Sequence, residues 1–300
     1  MFKTTEEIQK YLNVVGTLDI DTIKPFVKDA EDKYLRRFLG PVLLKALQNY
    51  TVQAEQTDLK LNALLPLVQN ALAAFAFYLA VPSLDIKITD SGFAVVSTNT
   101  LAPASAERVK NFRAAVELMG YDRIETLLRF LEENQADYTS WKESEAYTQS
   151  TRNLINKAED FYKLIGLEQS TLQFMRMRPQ MDNVEILQIE PVISKTLADV
   201  LRAYLRGTVI EVNATNSTVA NIQALLIPVR RSVTYLVAGK EIDEKYTPIG
   251  LQFLAEVRKL IDATPANYPE YVASSCYDST KTSYSPFENN TESQTFVFGG

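Results

Sequence analysis

The chain reads as mainly α-helical: two duplicated helical-bundle repeats with a small β-hairpin at about 84–98 and an extended C-terminal arm. Three observations predict this class. Apolar residues recur at three- and four-residue spacing along most of the 300 residues, as in helices that bury one face. The stretch IKPFVKDAEDKYLRRFL at 23–39 lies ungapped over IEPVISKTLADVLRAYL at 189–205, matching Ile23 with Ile189, Pro25 with Pro191, Leu35 with Leu201, Arg36 with Arg202 and Leu39 with Leu205. Self-similarity in that order marks a repeat. LDIKITDSGFAVVS at 84–97 instead alternates apolar and polar residues, as paired strands do.

The first repeat is assigned to 1–149. Pro25 suits a first helical turn, where its missing N–H costs nothing. Phe26, Val27, Ala30, Tyr34, Leu35, Phe38 and Leu39 then form one apolar stripe, which Gly40-Pro41 is expected to stop. NYTVQAEQTD at 49–58 reads as an exposed connection, and LLPLV at 64–68 opens a second helix. The most apolar run, ALAAFAFYLAV at 71–81, is too short to span a bilayer. In the ribbon, Ile86 and Ile88 alternate with Lys87 and Thr89 before an Asp90-Ser91-Gly92 turn, and Phe93, Val95 and Val96 continue the far strand. Helices follow over about 103–119 and 121–144, and Ser150 to Asn153 marks a boundary.

The second repeat, 150–262, begins with a helix near 151–165 and the Met-rich FMRMRPQM at 174–181. Val192, Ile193, Leu197, Val200, Leu201, Tyr204 and Leu205 repeat the earlier stripe. LIPVR at 226–230 places Pro228 where LLPLV has Pro66, and a helix at 248–262 closes the copy. From 263 to 300 the composition turns to Pro, Tyr, Ser, Thr and Asn, which predicts an extended arm. Its tip, TFVFGG, is strand-like. Two strands alone are marginal in water, so Phe296, Val297 and Phe298 are expected to add to the edge formed by Ile86, Ile88, Phe93 and Val95, within the chain or from a neighbour.

Composition excludes more chemistry than it suggests. The formal net charge of −6 argues against general nucleic-acid binding. There is no histidine, so Ser-His-Asp and Cys-His catalysis and histidine metal sites fall away; Cys276 is the sole cysteine, so no intrachain disulfide forms. The start MFKTTEEIQK has no apolar core of signal-peptide length. No glycine-rich phosphate loop is present. The carboxylates of DID at 19–21, DAED at 29–32 and LEEN at 131–134 read as helix-start charges and solvated faces, and Ser105 as helix-start chemistry. No catalytic residue, cofactor or metal site is assigned. Trp141 is expected to anchor an interhelical or interdomain contact. Arg176 and Arg178 form a basic spot suited to a subunit contact, with DNA contact a lesser expectation; Arg230 and Arg231 form another.

AEDKYLRRFLG at 30–40, the ribbon running into GFAVVSTNTLAPASAERV and the ending FENNTESQTFVFGG together resemble an uncharacterised family encoded by phages and prophages of Bacteroides-type bacteria. The helical layout is similar to head–tail connector or adaptor proteins of tailed phages. The resemblance implies a non-enzymatic virion structural or assembly protein that forms a ring. Its partners would be copies of itself and portal or tail components, with no membrane. It would be found in the host cytoplasm during assembly and then in the virion. The alternative is a soluble ligand- or peptide-binding module of a mobile element; a carboxylate-metal hydrolase built on Asp19 and Asp21 is a third class.

Overall fold

The computed structural model describes residues 1–12, 20–84, 86–89, 92–95, 104–207 and 217–277. By internal contacts the chain divides into two compact units, Met1–Pro179 and Gln180–Gly300. Both are mainly helical. Ser150, Thr151 and Asn153, expected at a boundary, are buried inside the first unit.

In the first unit, α1 (Thr5–Gln9) precedes α2 (Ile20–Ala30), a π-helical turn (Glu31–Leu35) and α3 (Arg36–Val52). Within α3 the first helical run ends at Gly40-Pro41, as expected. Gly40 takes φ 74° and ψ 163°, so the chain kinks and helix resumes at once with Pro41 in its first turn. Next comes α4 (Leu59–Ala80), whose start is capped by Asp58 accepting from the N–H groups of Lys60 and Leu61. Ala71, Ala73, Ala74, Ala76 and Ala80 are all buried, so small side chains let neighbouring helices approach α4 closely. With its following turn, Leu59–Ser83 is long and apolar enough to cross a membrane by length and composition, yet 67% of its most apolar window is buried within the protein.

Strands β1 (Ile86–Thr89) and β2 (Gly92–Val95) pair antiparallel, with Ile86 opposite Val95 and Ile88 opposite Phe93. After them, α5 (Ala106–Glu133) is one continuous helix where two were expected, meeting at Gly120. A Cβ on Gly120 would lie 2.8 Å from Phe75 Cε1, so this glycine marks close packing of α5 on α4 and no break. Ser105 is its N-cap and accepts from the Arg108 N–H at 3.4 Å. Short helices α6 (Thr139–Lys142), α7 (Glu145–Ser150) and α8 (Ala158–Ile165) follow, so the helix expected near 151–165 covers only its latter part.

The division between units falls within α9 (Thr171–Val184). The second unit continues through another π-helical turn (Glu185–Ile189), α10 (Glu190–Ile193) and α11 (Lys195–Leu205). Ser194, at φ 74° and ψ 152°, breaks the helix expected to run unbroken from Pro191, and its hydroxyl caps α11 by accepting from the Leu197 N–H at 3.2 Å. Pro25 thus precedes its π turn whereas Pro191 follows one, so the ungapped 23–39 match does not set like on like. The core of this unit is the pair α12 (Val219–Glu241) and α13 (Thr247–Ala263), in which Ser232 Oγ donates to the Gly250 carbonyl at 3.0 Å. Beyond it, where an extended arm was expected from 263, a short helical turn leads into α14 (Pro269–Val272), and Tyr268 and Tyr271 are buried. The rest of the arm, 278–300, lies outside the described residues.

Candidate functional site

The residues singled out from sequence fall into three groups. Ile86, Ile88, Phe93 and Val95 occupy the strand pair, at directly opposed register positions. Phe296, Val297 and Phe298 lie outside the described residues, as does Asp19. Arg230 and Arg231 sit on α12 of the second unit, and Trp141, Arg176 and Arg178 in the first unit. There Trp141 is fully buried: Nε1–H donates to the Phe38 carbonyl at 2.9 Å and the indole meets the Tyr147 ring edge-on at 4.9 Å. It ties α6 to α3 and presents nothing to a partner.

Arg176 and Arg178, two residues apart on α9, have opposite surroundings. Arg176 is exposed and reaches Glu117 at 3.6 Å. Arg178 is only 7% exposed, donates to the carbonyls of Gln149 and Ser150 at 2.9 and 2.5 Å and lies over the Phe174 ring. A cation fits there because the last carbonyls of α7 form the negative end of that helix. Phe174, Met177 and Met181 are core, so the Met-rich stretch is an ordinary apolar face.

The acidic groups also separate. Asp21 lies in the first turn of α2, and Asp32 pairs with Arg36 one helical turn away. Glu132 pairs with Lys157 at 2.7 Å. Glu31 is buried, accepting from Gln48 Nε2 at 2.7 Å and from the Met1 ammonium at 3.2 Å. Among the described residues no group of three or more His, Cys, Asp or Glu could hold a metal ion.

Sequence reasoning missed the densest charge cluster among the described residues. In the second unit Arg202 meets Glu185 at 2.8 Å, Glu190 at 2.9 Å and Asp199 at 2.8 Å, and Glu185 is buried. Burial opposes the charge on Arg202, but Glu185, Glu190 and Asp199 outweigh it and raise its pKa. The available signal was Glu185 standing among buried Val184 and Ile189. A carboxylate at a core position needs hydrogen-bond donors or a cation to offset its burial.

Large aliphatic side chains are left in solvent at defined places. Val52 and Leu59, 78% and 82% exposed, flank the α3–α4 connection. In the second unit Ile186 and Leu187 on the π turn and Ile227 on α12 are each more than half exposed. Isolated exposed aliphatics are common on protein surfaces.

A family model described as a family of unknown function, DUF6712, matches residues 23–151, within the first unit. No curated protein and no solved structure matches the chain.

Proposed function

We propose that the chain is a tandem duplication of one helical unit and that it works as a non-enzymatic assembly protein. In this reading it is a connector or adaptor that closes into a ring at the head–tail junction of a phage or prophage virion. Copies of itself and portal or tail proteins are its partners, and it passes from the host cytoplasm into the virion.

A register different from the ungapped one supports the duplication. Pro25 aligns with Pro179, buried Glu31 with buried Glu185, Gly40 at φ 74° with Ser194 at φ 74°, and Leu43 and Leu47 with Leu197 and Leu201. Both glutamates lie in π turns and both accept from the same place on the next helix, Gln48 in one unit and Arg202 in the other. Further on, Phe75 against Gly120 corresponds to Leu236 against Gly250. The Tyr138 hydroxyl donates to the Lys60 carbonyl as Tyr268 donates to that of Asn221, and the Trp141–Tyr147 ring pair returns as Tyr271–Tyr277. Kinks, buried glutamates and polar ties thus agree alongside the apolar stripes.

The assembly role rests on the exposed aliphatic pair Val52 and Leu59. Two β-branched or branched side chains flanking one connection lose apolar hydration when a partner covers them. Native mass spectrometry and negative-stain imaging of the purified chain test the role. Closed oligomers that fall apart in Val52→Lys and Leu59→Glu, with circular dichroism unchanged, are expected. A monomer at high concentration that captures no portal or tail protein from its own genomic neighbourhood would sink it.

A further inference from the structure

We infer that a cavity of the first unit binds a phosphate group. The cavity, about 480 Å³, is walled by the start of α3, by α7 and the residues just beyond it and by Arg178 of α9; its lining carries four guanidiniums, Arg36, Arg37, Arg152 and Arg178, against the Glu145 carboxylate, with Arg36 already paired to Asp32. In a chain whose formal charge is −6, this is a local reversal of sign.

The forks are positioned before any ligand arrives. Arg178, nine-tenths buried, is fixed by the carbonyls of Gln149 and Ser150. Arg152 Nη1 donates to Gln149 Oε1 at 2.8 Å, and Arg36 is braced by Asp32 at 2.6 Å. Arg37 lies over the Phe38 ring at 5.8 Å. Holding long side chains in advance removes part of the ordering cost of binding. Guanidiniums bind carboxylate and phosphate alike through parallel N–H donors, but several converging on one cavity suit a dianion with three or more acceptor oxygens better than a single carboxylate.

The backbone adds to this. Gly40 and Pro41 line the same cavity, where helix restarts after the kink. The second unit has Ser194 at its kink, and that hydroxyl caps the helix start itself; Gly40 has no side chain with which to do so. Glu190 and Pro191 precede the second kink where Arg36 and Arg37 precede the first. The phosphate site therefore belongs to the first unit alone, and it stands apart from the assembly role proposed above.

The test uses the full chain with inorganic pyrophosphate as probe, by calorimetric titration and thermal shift, against sodium chloride of equal ionic strength. Pyrophosphate is expected to bind and stabilise beyond chloride. Arg37→Gln and Arg152→Gln, both on side chains that reach solvent, are expected to weaken binding about tenfold or more each. Arg258→Gln, on α13, is expected to leave it unchanged. A short single-stranded DNA oligonucleotide separates the sources of phosphate. Competition with pyrophosphate, lost in the same two variants, makes the natural bearer a nucleic-acid backbone; binding of pyrophosphate without competition makes it a free phosphate compound. No stabilisation beyond chloride, or equal binding by wild type and the Arg37→Gln, Arg152→Gln double variant, overturns the proposal.

Discussion

Arg202 shows how one residue can carry a disproportionate share of a unit's stability. Its guanidinium bridges the π turn, α10 and its own helix through Glu185, Glu190 and Asp199. Replacing it with Met keeps most of the apolar stem but leaves Glu185 buried without its cation. Breaking a buried pair from one side costs about 3–5 kcal/mol, and the exposure of Asp199 places this case near the lower figure. Urea denaturation of Arg202→Met should register that loss, and Glu185→Gln in the same background should recover part of it. If Arg202→Met unfolds at the wild-type midpoint, the cluster is decoration. The first unit solves the equivalent problem differently, with Gln48 and the Met1 ammonium on Glu31, so the same substitution at Gln48 would remove a hydrogen bond and no cation.

Between helices, the decisive positions are the small ones. A Cβ on Gly120 would stand 2.8 Å from Phe75 Cε1, and the Phe75 ring, itself stacked on Tyr34 at 4.1 Å, can give way only slightly. On Gly250 it would stand 2.7 Å from Leu236 Cγ and 2.8 Å from the Leu236 backbone nitrogen. Overpacking costs about 1–3 kcal/mol, while Ala in place of Gly returns about 0.8–1.0 kcal/mol of helix propensity. Gly250→Ala should therefore be net destabilising by about 1–2 kcal/mol, more than Gly120→Ala, because backbone cannot yield as a ring edge can. Thermal melts of the two variants check the order, and a stabilised Gly250→Ala would show that α12 and α13 are not packed as described. These same glycines explain what sequence reading got right and wrong. Helical faces were legible because Leu64, Val68, Leu72 and their like recur with the helix period. Gly120 read as a break because a glycine chosen for closeness looks the same as one chosen for a turn. In the duplication proposed above, the ungapped sequence match is set out of register, since one apolar stripe resembles another. The π turns and the kinks at Gly40 and Ser194 help distinguish among registers; the π turns and Ser194 carry no composition signal, and Gly40-Pro41 alone is marked by its residue types. Of the expected interface, the Arg178 neighbourhood was recognisable as a basic spot. Arg36, Arg37 and Arg152, distant in sequence, join it only through the fold.

Across the whole molecule, tyrosine rather than histidine sets the pH response, since the chain has fifteen of the former and none of the latter. Burial pushes Tyr34 and Tyr162 of the first unit and Tyr271 of the second up to about 12; neighbouring Tyr78 and Tyr121 add to the effect on Tyr34, and the hydroxyl of Tyr271 donates to Asp262 at 3.1 Å. In the unfolded chain these phenols ionise near 10. Between those values the folded state holds protons that the unfolded chain has released, so the unfolded state binds fewer and stability falls as pH rises. The contribution is complete below about pH 10 and is lost as pH climbs through about 12. An alkaline titration followed by phenolate absorbance and circular dichroism together should show two stages: exposed tyrosines first with helix content intact, then the buried set along with loss of helix. Because both units contain such a phenol, neither is expected to outlast the other far into that window. A single ionisation step near pH 10 that takes in every tyrosine while the helical signal persists would mean that Tyr34, Tyr162 and Tyr271 are open to solvent, and that the aromatic packing of both units is looser than their geometry implies.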